Sequence, residues 1–161
     1  MNAPQPGTFD VKALASVCAH NSSADVFRPT LTPEQWSLLS SYLQPLMARQ
    51  GQVLIQQNGS DRTVYFIEQG SVTVHYEDAT GKIRLASVDA GSAVGEGAFF
   101  SRQPRNATVQ AAMACRLWTL TPMRFAELSN RQPGIALEVA MALGALVSRR
   151  LSVKPRRVAV T

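Results

Sequence analysis

Gly95-Glu96-Gly97-Ala98-Phe99-Phe100, followed after a short connector by Pro104-Arg105-Asn106-Ala107-Thr108-Val109, is the stretch that decides how this chain is organised. It brings a tight glycine turn, a carboxylate, the start of a one-turn helix and an arginine close together. The N–H groups that open a short helix favour an anion, and small residues such as Gly97 and Ala98 let a ligand approach the backbone. Arg105 supplies a planar fork of donors matching two phosphate oxygens, each charge-assisted bond contributing about 1.5–3 kcal/mol. Glu96 only accepts hydrogen bonds, so beside an anion its natural partner is a hydroxyl such as that of a ribose.

Around this stretch, from Gln52 to Leu120, short strands alternate with turns at Asn58-Gly59, Gly70, Thr80-Gly81 and Gly91. Val72, Val74 and Tyr76 alternate with Ser71, Thr73 and His75, which predicts one side facing a core and His75 facing outward. Many short strands with glycine turns argue for an antiparallel β-roll, or jelly roll. The Gly95–Phe100 stretch interrupts the strand pattern where such a roll would open to a small ligand, with Leu85 and Val88 as its apolar wall.

Helices are expected on both sides of the roll. Val11, Leu14 and Val17 recur at helical spacing up to the polar His20-Asn21-Ser22-Ser23. Thr32-Pro33-Glu34-Gln35 is a capping box with proline at the first helical position, and Leu31 and Trp36 stand where a hydrophobic staple would; the helix is predicted from Pro33 to about Gln44, with Trp36, Leu39 and Leu43 inward. Thr121-Pro122 opens another helix with Phe125 and Leu128 inward. A last one begins near Pro133, where Ile135, Val139, Ala142, Leu146 and Arg149 repeat close to every 3.5 residues. Leu137, Met141 and Leu151 flank that stripe and make the helix more apolar than one packing partner requires, which implies either a homodimer seam or a lid over the ligand mouth. Gly144 inside it suits close helix approach or a hinge. The fold class is therefore α+β: an antiparallel β-roll over 51–120, N-terminal helices over 10–45, C-terminal helices over 121–153, and a short helix inserted between strands. Residues 1–9 read as a disordered terminus and 154–161 as a basic tail.

Composition narrows the function. The 161 residues suit one domain, and 45% hydrophobic with 17% charged residues is globular. The apolar run Ile135–Val147 is interrupted by Glu138 and shorter than a span of about 20 residues, and no secretory signal opens the chain, so a cytoplasmic location away from membranes is expected. Two cysteines and two histidines, widely spaced, predict no metal site; Cys18 and Cys115 read as buried thiols. No nucleophile with an adjacent base is visible, which argues against an enzyme. The net charge of +5 invites a nucleic-acid partner, but five basic residues, Arg149, Arg150, Lys154, Arg156 and Arg157, fall in the last thirteen positions, and sequence-specific nucleic-acid binding is not expected.

The central stretch resembles the phosphate-binding cassette of the cyclic nucleotide-binding domain, the module of catabolite activator proteins, cyclic-nucleotide-dependent kinases and gated channels. That pattern runs Gly-Glu-x-Ala, a hydrophobic pair, a short loop, then Pro-Arg-x-Ala-Thr-Val. The resemblance extends through Gly51-Gln52-Val53-Leu54-Ile55, Gly59 and Tyr65–Val74, and covers roughly residues 31–152. Two positions depart from it: Val94 where an aromatic is frequent, and Asn106 where Ala, Ser or Thr is common. In the eukaryotic branch of the family Thr or Ser there goes with cyclic GMP preference and Ala with cyclic AMP; the Asn106 amide either contacts phosphate or purine, or its bulk displaces the ligand.

What the resemblance implies is a regulatory module for a 3′,5′-cyclic purine nucleotide, cAMP favoured over cGMP, with no other cofactor. Gly95, Glu96, Gly97, Ala98, Arg105, Asn106 and Ala107 would bind the ligand, and Leu146, Arg149 and Arg150 on the last helix would touch the ligand or the moved cassette. In the resembling transcription regulators a DNA-binding domain follows this helix; here the output is expected to pass to an effector protein or through a homodimer. The alternative is a ligand-free domain that keeps the fold and acts as a protein-interaction adaptor.

Overall fold

The computed structural model describes residues 7–152, the side chain of Leu85 excepted. The proposed basic tail over 154–161 lies outside the described residues, as do residues 1–6. Helices α1 (Val11–His20) and α2 (Pro33–Ser40) precede strands β1 (Gln44–Ala48), β2 (Val53–Ile55), β3 (Val64–Gln69), β4 (Ser71–Asp78), β5 (Gly81–Asp89) and β6 (Ala93–Val94). Helix α3 (Glu96–Ser101) is inserted before β7 (Thr108–Ala111) and β8 (Cys115–Leu120), and α4 (Pro122–Arg131) and α5 (Pro133–Ser152) close the chain. The strands form two four-stranded antiparallel sheets, ordered β1-β8-β3-β6 and β2-β7-β4-β5.

Strands β3 and β8 of the first sheet are covered on both faces, while β1 is a largely exposed edge. Ile67, Val94, Cys115 and Leu117 point into the roll against Val72, Val74, Val88 and Val109 of the second sheet. Val64, Phe66, Trp118 and Leu120 point the other way, onto Leu14, Trp36, Leu39, Leu128, Val139, Leu143 and Leu146 of the helices. This is why β3 and β8 read as nearly continuous apolar runs. On the helix side Glu68 accepts from Arg116 Nε at 2.7 Å and from Trp118 Nε1 at 3.0 Å, and Phe9 stacks against Arg116, so this buried carboxylate is fully compensated.

The local signals behave as the residues dictate. The Thr32 hydroxyl accepts from Gln35 N at 3.2 Å while Gln35 Oε1 accepts from Thr32 N at 2.9 Å, completing the capping box. The Thr121 hydroxyl caps α4 by accepting from Arg124 N at 3.2 Å, without a reciprocal side-chain bond because Arg124 has no acceptor. Both cysteines are free and buried, and burial pushes the Cys18 thiol up to about 12 despite nearby Arg28.

Three expectations are corrected. Helix α2 ends at Ser40, not near Gln44, because Gln44–Ala48 pairs with β8 as an additional strand. Ladder bonds and burial of Ala48 outweigh the local helical tendency of that segment. His75 is buried and Tyr76 exposed, the reverse of strict alternation. The β4–β5 ladder slips by one residue between Val74↔Ala86 and His75↔Arg84, a bulge at which the period of two is broken. On α5 the buried stripe continues from Leu146 to Arg150 and not to Arg149, following a 3.6-residue period.

Candidate functional site

The inserted α3 meets the roll through Gly95, the left-handed residue (φ 88°) that turns β6 into the helix. A Cβ at this position would lie 2.5 Å from the Thr63 carbonyl oxygen and 2.9 Å from Arg105 Nη1, so only glycine leaves room for the arginine. Arg105 is 2% exposed. Its Nη1 donates to the Gly95 carbonyl at 2.9 Å, and its Nη2 to the Thr63 carbonyl at 2.7 Å and to Asp61 Oδ2 at 2.9 Å. Its backbone is pinned as well: Asn58 N donates to Arg105 O at 2.7 Å, and Arg105 N to Gly59 O at 2.8 Å.

One atom of this guanidinium is unsatisfied. Arg105 Nε is buried and, among the described residues, has no hydrogen-bond partner. A buried orphan donor costs about 1–3 kcal/mol, so an acceptor oxygen brought to this edge of the guanidinium would be stabilising. The anticipated fork therefore differs in detail: its terminal nitrogens are engaged by the protein, and it is the Nε edge that has no partner among the described residues. Asp61 is half in solvent; partial burial raises its carboxyl, but bonds from the Thr63 hydroxyl, Arg105 and the Thr63 amide outweigh this and hold it below its ordinary range.

Glu96 is completely buried and accepts from Arg150 Nη1 of α5 at 2.6 Å. Arg150 is equally enclosed. Its Nε donates to Asp25 Oδ1 at 2.7 Å, and its Nη2 to Asp25 Oδ2 at 3.2 Å, the Ser92 hydroxyl at 3.1 Å and the Ala93 carbonyl at 2.8 Å. Burial alone would lower its pKa; Glu96 and then Asp25 more than reverse this, and the guanidinium remains charged.

The remaining expected residues fall into distinct settings. Ala98 and Ala107 are buried beside the cassette, Gly97 is half-buried, and Asn106 is exposed. Val88 faces the interior of the roll, whereas the side chain of Leu85 lies outside the described residues. Leu146 packs within the helix-side core. Arg149 donates to the carbonyls of Ala24 and Val26 at 2.8 and 2.7 Å, while it is Arg150 that reaches the cassette.

Sequence reasoning missed Asp61, Thr63, Asp25 and Ser92. Arg62, also missed, donates to the Ala98 and Phe99 carbonyls and closes the C-terminal end of α3. The Asn58-Gly59 turn and the Asp61-x-Thr63 spacing are local signals that could have marked the loop; nothing local connects Asp25 to Arg150. Among the described residues no group of three or more His, Cys, Asp or Glu is placed to hold a metal ion, and no helix is long and apolar enough to cross a membrane.

An arginine tied to a glycine turn and an inserted helix, on an antiparallel roll closed by terminal helices, defines a class. The chain belongs to the cyclic nucleotide-binding domain family, whose model matches residues 46–132. It is similar to the cAMP-activated global transcriptional regulator CRP of Escherichia coli O6:H1, 32% identical over 132 residues that cover 81% of this chain and 59% of that protein. The chain thus spans about three fifths of the length of that relative. Among solved structures it resembles the catabolite activator protein of Thermus thermophilus, with 28% identity, a TM-score of 0.67, and coverage of 76% of this chain and 56% of that one. A cyclic nucleotide-binding domain from Methylobacillus flagellatus shares the fold at 20% identity, with a TM-score of 0.77 and coverage of 88% and 78%.

Proposed function

We propose that this chain is a regulatory module that binds a 3′,5′-cyclic purine nucleotide, cAMP in preference to cGMP, and signals through α5. The observation that carries the reading is the buried Arg105 with an orphan Nε beside the Gly95 turn, within one short helix of a charge-compensated Glu96. In this reading the cyclic phosphate takes the Arg105 Nε edge and the small-residue face of Gly97, Ala98 and Ala107, while Glu96 accepts from the ribose 2′-hydroxyl. Asn106 is exposed next to Arg105, and in this reading its amide contacts the ligand from the solvent side. The cAMP-activated relative supports the choice of nucleotide.

Helix α5 suits the reporting role because Arg150 links it directly to Glu96. Leu137, Met141 and Leu151 are 62, 64 and 67% exposed and share one side of α5, the surface expected of a homodimer seam or an effector contact.

Isothermal titration of the parent and Arg105→Ala with cAMP and cGMP tests the reading. Binding by the parent and its loss in the variant is expected. If neither nucleotide binds the parent nor raises its melting temperature, the ligand-free adaptor takes its place, because a ligand of the native state must stabilise it by mass action.

A further inference from the structure

The N-terminal arm between α1 and α2, outside the family-matched residues 46–132, reaches the site through a single arginine. Its backbone is fixed before it gets there. Asn21 Nδ2 donates to the Ala90 carbonyl at 2.8 Å, and Phe27 N donates to the Gly91 carbonyl at 2.8 Å. The Phe27 ring is buried 4.6 Å from that of Phe66. Arg149 clasps the carbonyls of Ala24 and Val26, on either side of Asp25. Asp25 is thereby presented to Arg150 and takes its Nε and Nη2, while Nη1 is left pointing at Glu96. The Ser92 hydroxyl bridges the pair, donating to Asp25 Oδ2 at 3.3 Å and accepting from Arg150 Nη2.

We propose that Asp25 is a positioning residue of the ribose half of the site: it orients Arg150, Arg150 orients Glu96, and the arm thereby sets discrimination for the ribose 2′-hydroxyl. A two-oxygen grip on Nε and Nη2 fixes the plane of a guanidinium on a long, rotamer-rich side chain. With that grip removed, Arg150 keeps the Ser92 hydroxyl and the Ala93 carbonyl on Nη2, but Glu96 is the only carboxylate still bonded to it among the described residues, and nothing holds its Nε edge against a tilt of the fork onto the acceptor that the hydroxyl needs. Asp25 touches neither half of the nucleotide in this arrangement; it acts through two side chains, from a segment that the family match does not include.

This inference rests on the nucleotide reading, and its test separates the two. Affinities for cAMP and 2′-deoxy-cAMP are measured on the full chain, in the parent and in Asp25→Asn, which keeps the side-chain volume. The parent is expected to prefer cAMP. In D25N the affinity for cAMP falls about tenfold, the loss of roughly one charge-assisted hydrogen bond, while that for the 2′-deoxy analogue stays within about twofold. Equal weakening of both ligands, or no change in either, overturns the positioning role and leaves the nucleotide reading intact. Failure of the parent to bind either ligand overturns both. Should D25N not fold, Ser92→Ala, which removes only the bridging hydroxyl, is expected to narrow the same preference to a smaller degree; an unchanged preference there overturns the proposal.

Discussion

Replacing Arg150 by methionine is the sharpest test of how α5 is held. The side chain is 1% exposed and bridges Glu96, fully buried, and Asp25, 21% exposed, with two further bonds to Ser92 and the Ala93 carbonyl. Removing one member of a buried ion pair leaves its partner's charge uncompensated, which costs about 3–5 kcal/mol. In a chain of this length that corresponds to a fall in melting temperature of roughly 6–20 °C. The double variant R150M/E96Q removes the stranded buried charge and leaves only Asp25, which is exposed enough to regain water. It is expected to recover half or more of the loss. Urea denaturation of parent, single and double variants, with an unchanged slope as the control for two-state behaviour, measures both quantities. A single-variant loss below about 1 kcal/mol, or a double variant no more stable than the single, would refute the argument that Glu96 depends on Arg150 for its countercharge.

Other perturbations address different parts of the fold. Gly95→Ala forces a Cβ to 2.5 Å from the Thr63 oxygen and 2.9 Å from Arg105 Nη1 at a φ of 88°, so a loss of about 1–3 kcal/mol is expected, together with a displaced Arg105 and weakened nucleotide binding by calorimetry. Gly144→Ala is the contrasting case: its Cβ meets nothing within 4 Å among the described residues, and thermal melts should show a gain of about 0.5–1 kcal/mol, whereas a loss would mean that another segment or chain packs closely there. His75 gives a pH signature. Burial, then Lys82, lower its pKa, with Glu77 opposing. The unfolded histidine takes up a proton near its ordinary value of 6.5 while the folded one does so only at lower pH, so in that interval the unfolded state holds more protons and stability falls as pH falls. Melting temperatures recorded from about pH 7.5 downward should decline below 6.5, and His75→Asn should flatten that decline.

Much of this was legible along the chain because the signals are short in range. The capping box at Thr32, the proline starts of α4 and α5 and the glycine turns each depend on residues within four positions, and they appear where expected. Gly95, Glu96 and Arg105 were recognisable because the cassette is nearly contiguous. Strand β1 was not, since Gln44–Ala48 carries no alternation of its own and becomes a strand by pairing with Cys115–Thr119. The inward turn of His75 depends on a slip in the ladder with β5, which no count along β4 detects.

By itself, then, the sequence determined the β-roll, the helices around it and the contiguous Gly-Glu to Pro-Arg stretch that marks the family, all of which follow from local periodicity and contiguous motifs. Tertiary structure decided what surrounds those residues. Asp61 and Thr63 come to Arg105 from 44 and 42 positions away, and Asp25 comes to Arg150 from 125 positions away. A buried charge is compensated by whatever the fold brings near it in space, and that proximity is set by how the arm, the roll and α5 pack, not by spacing along the chain.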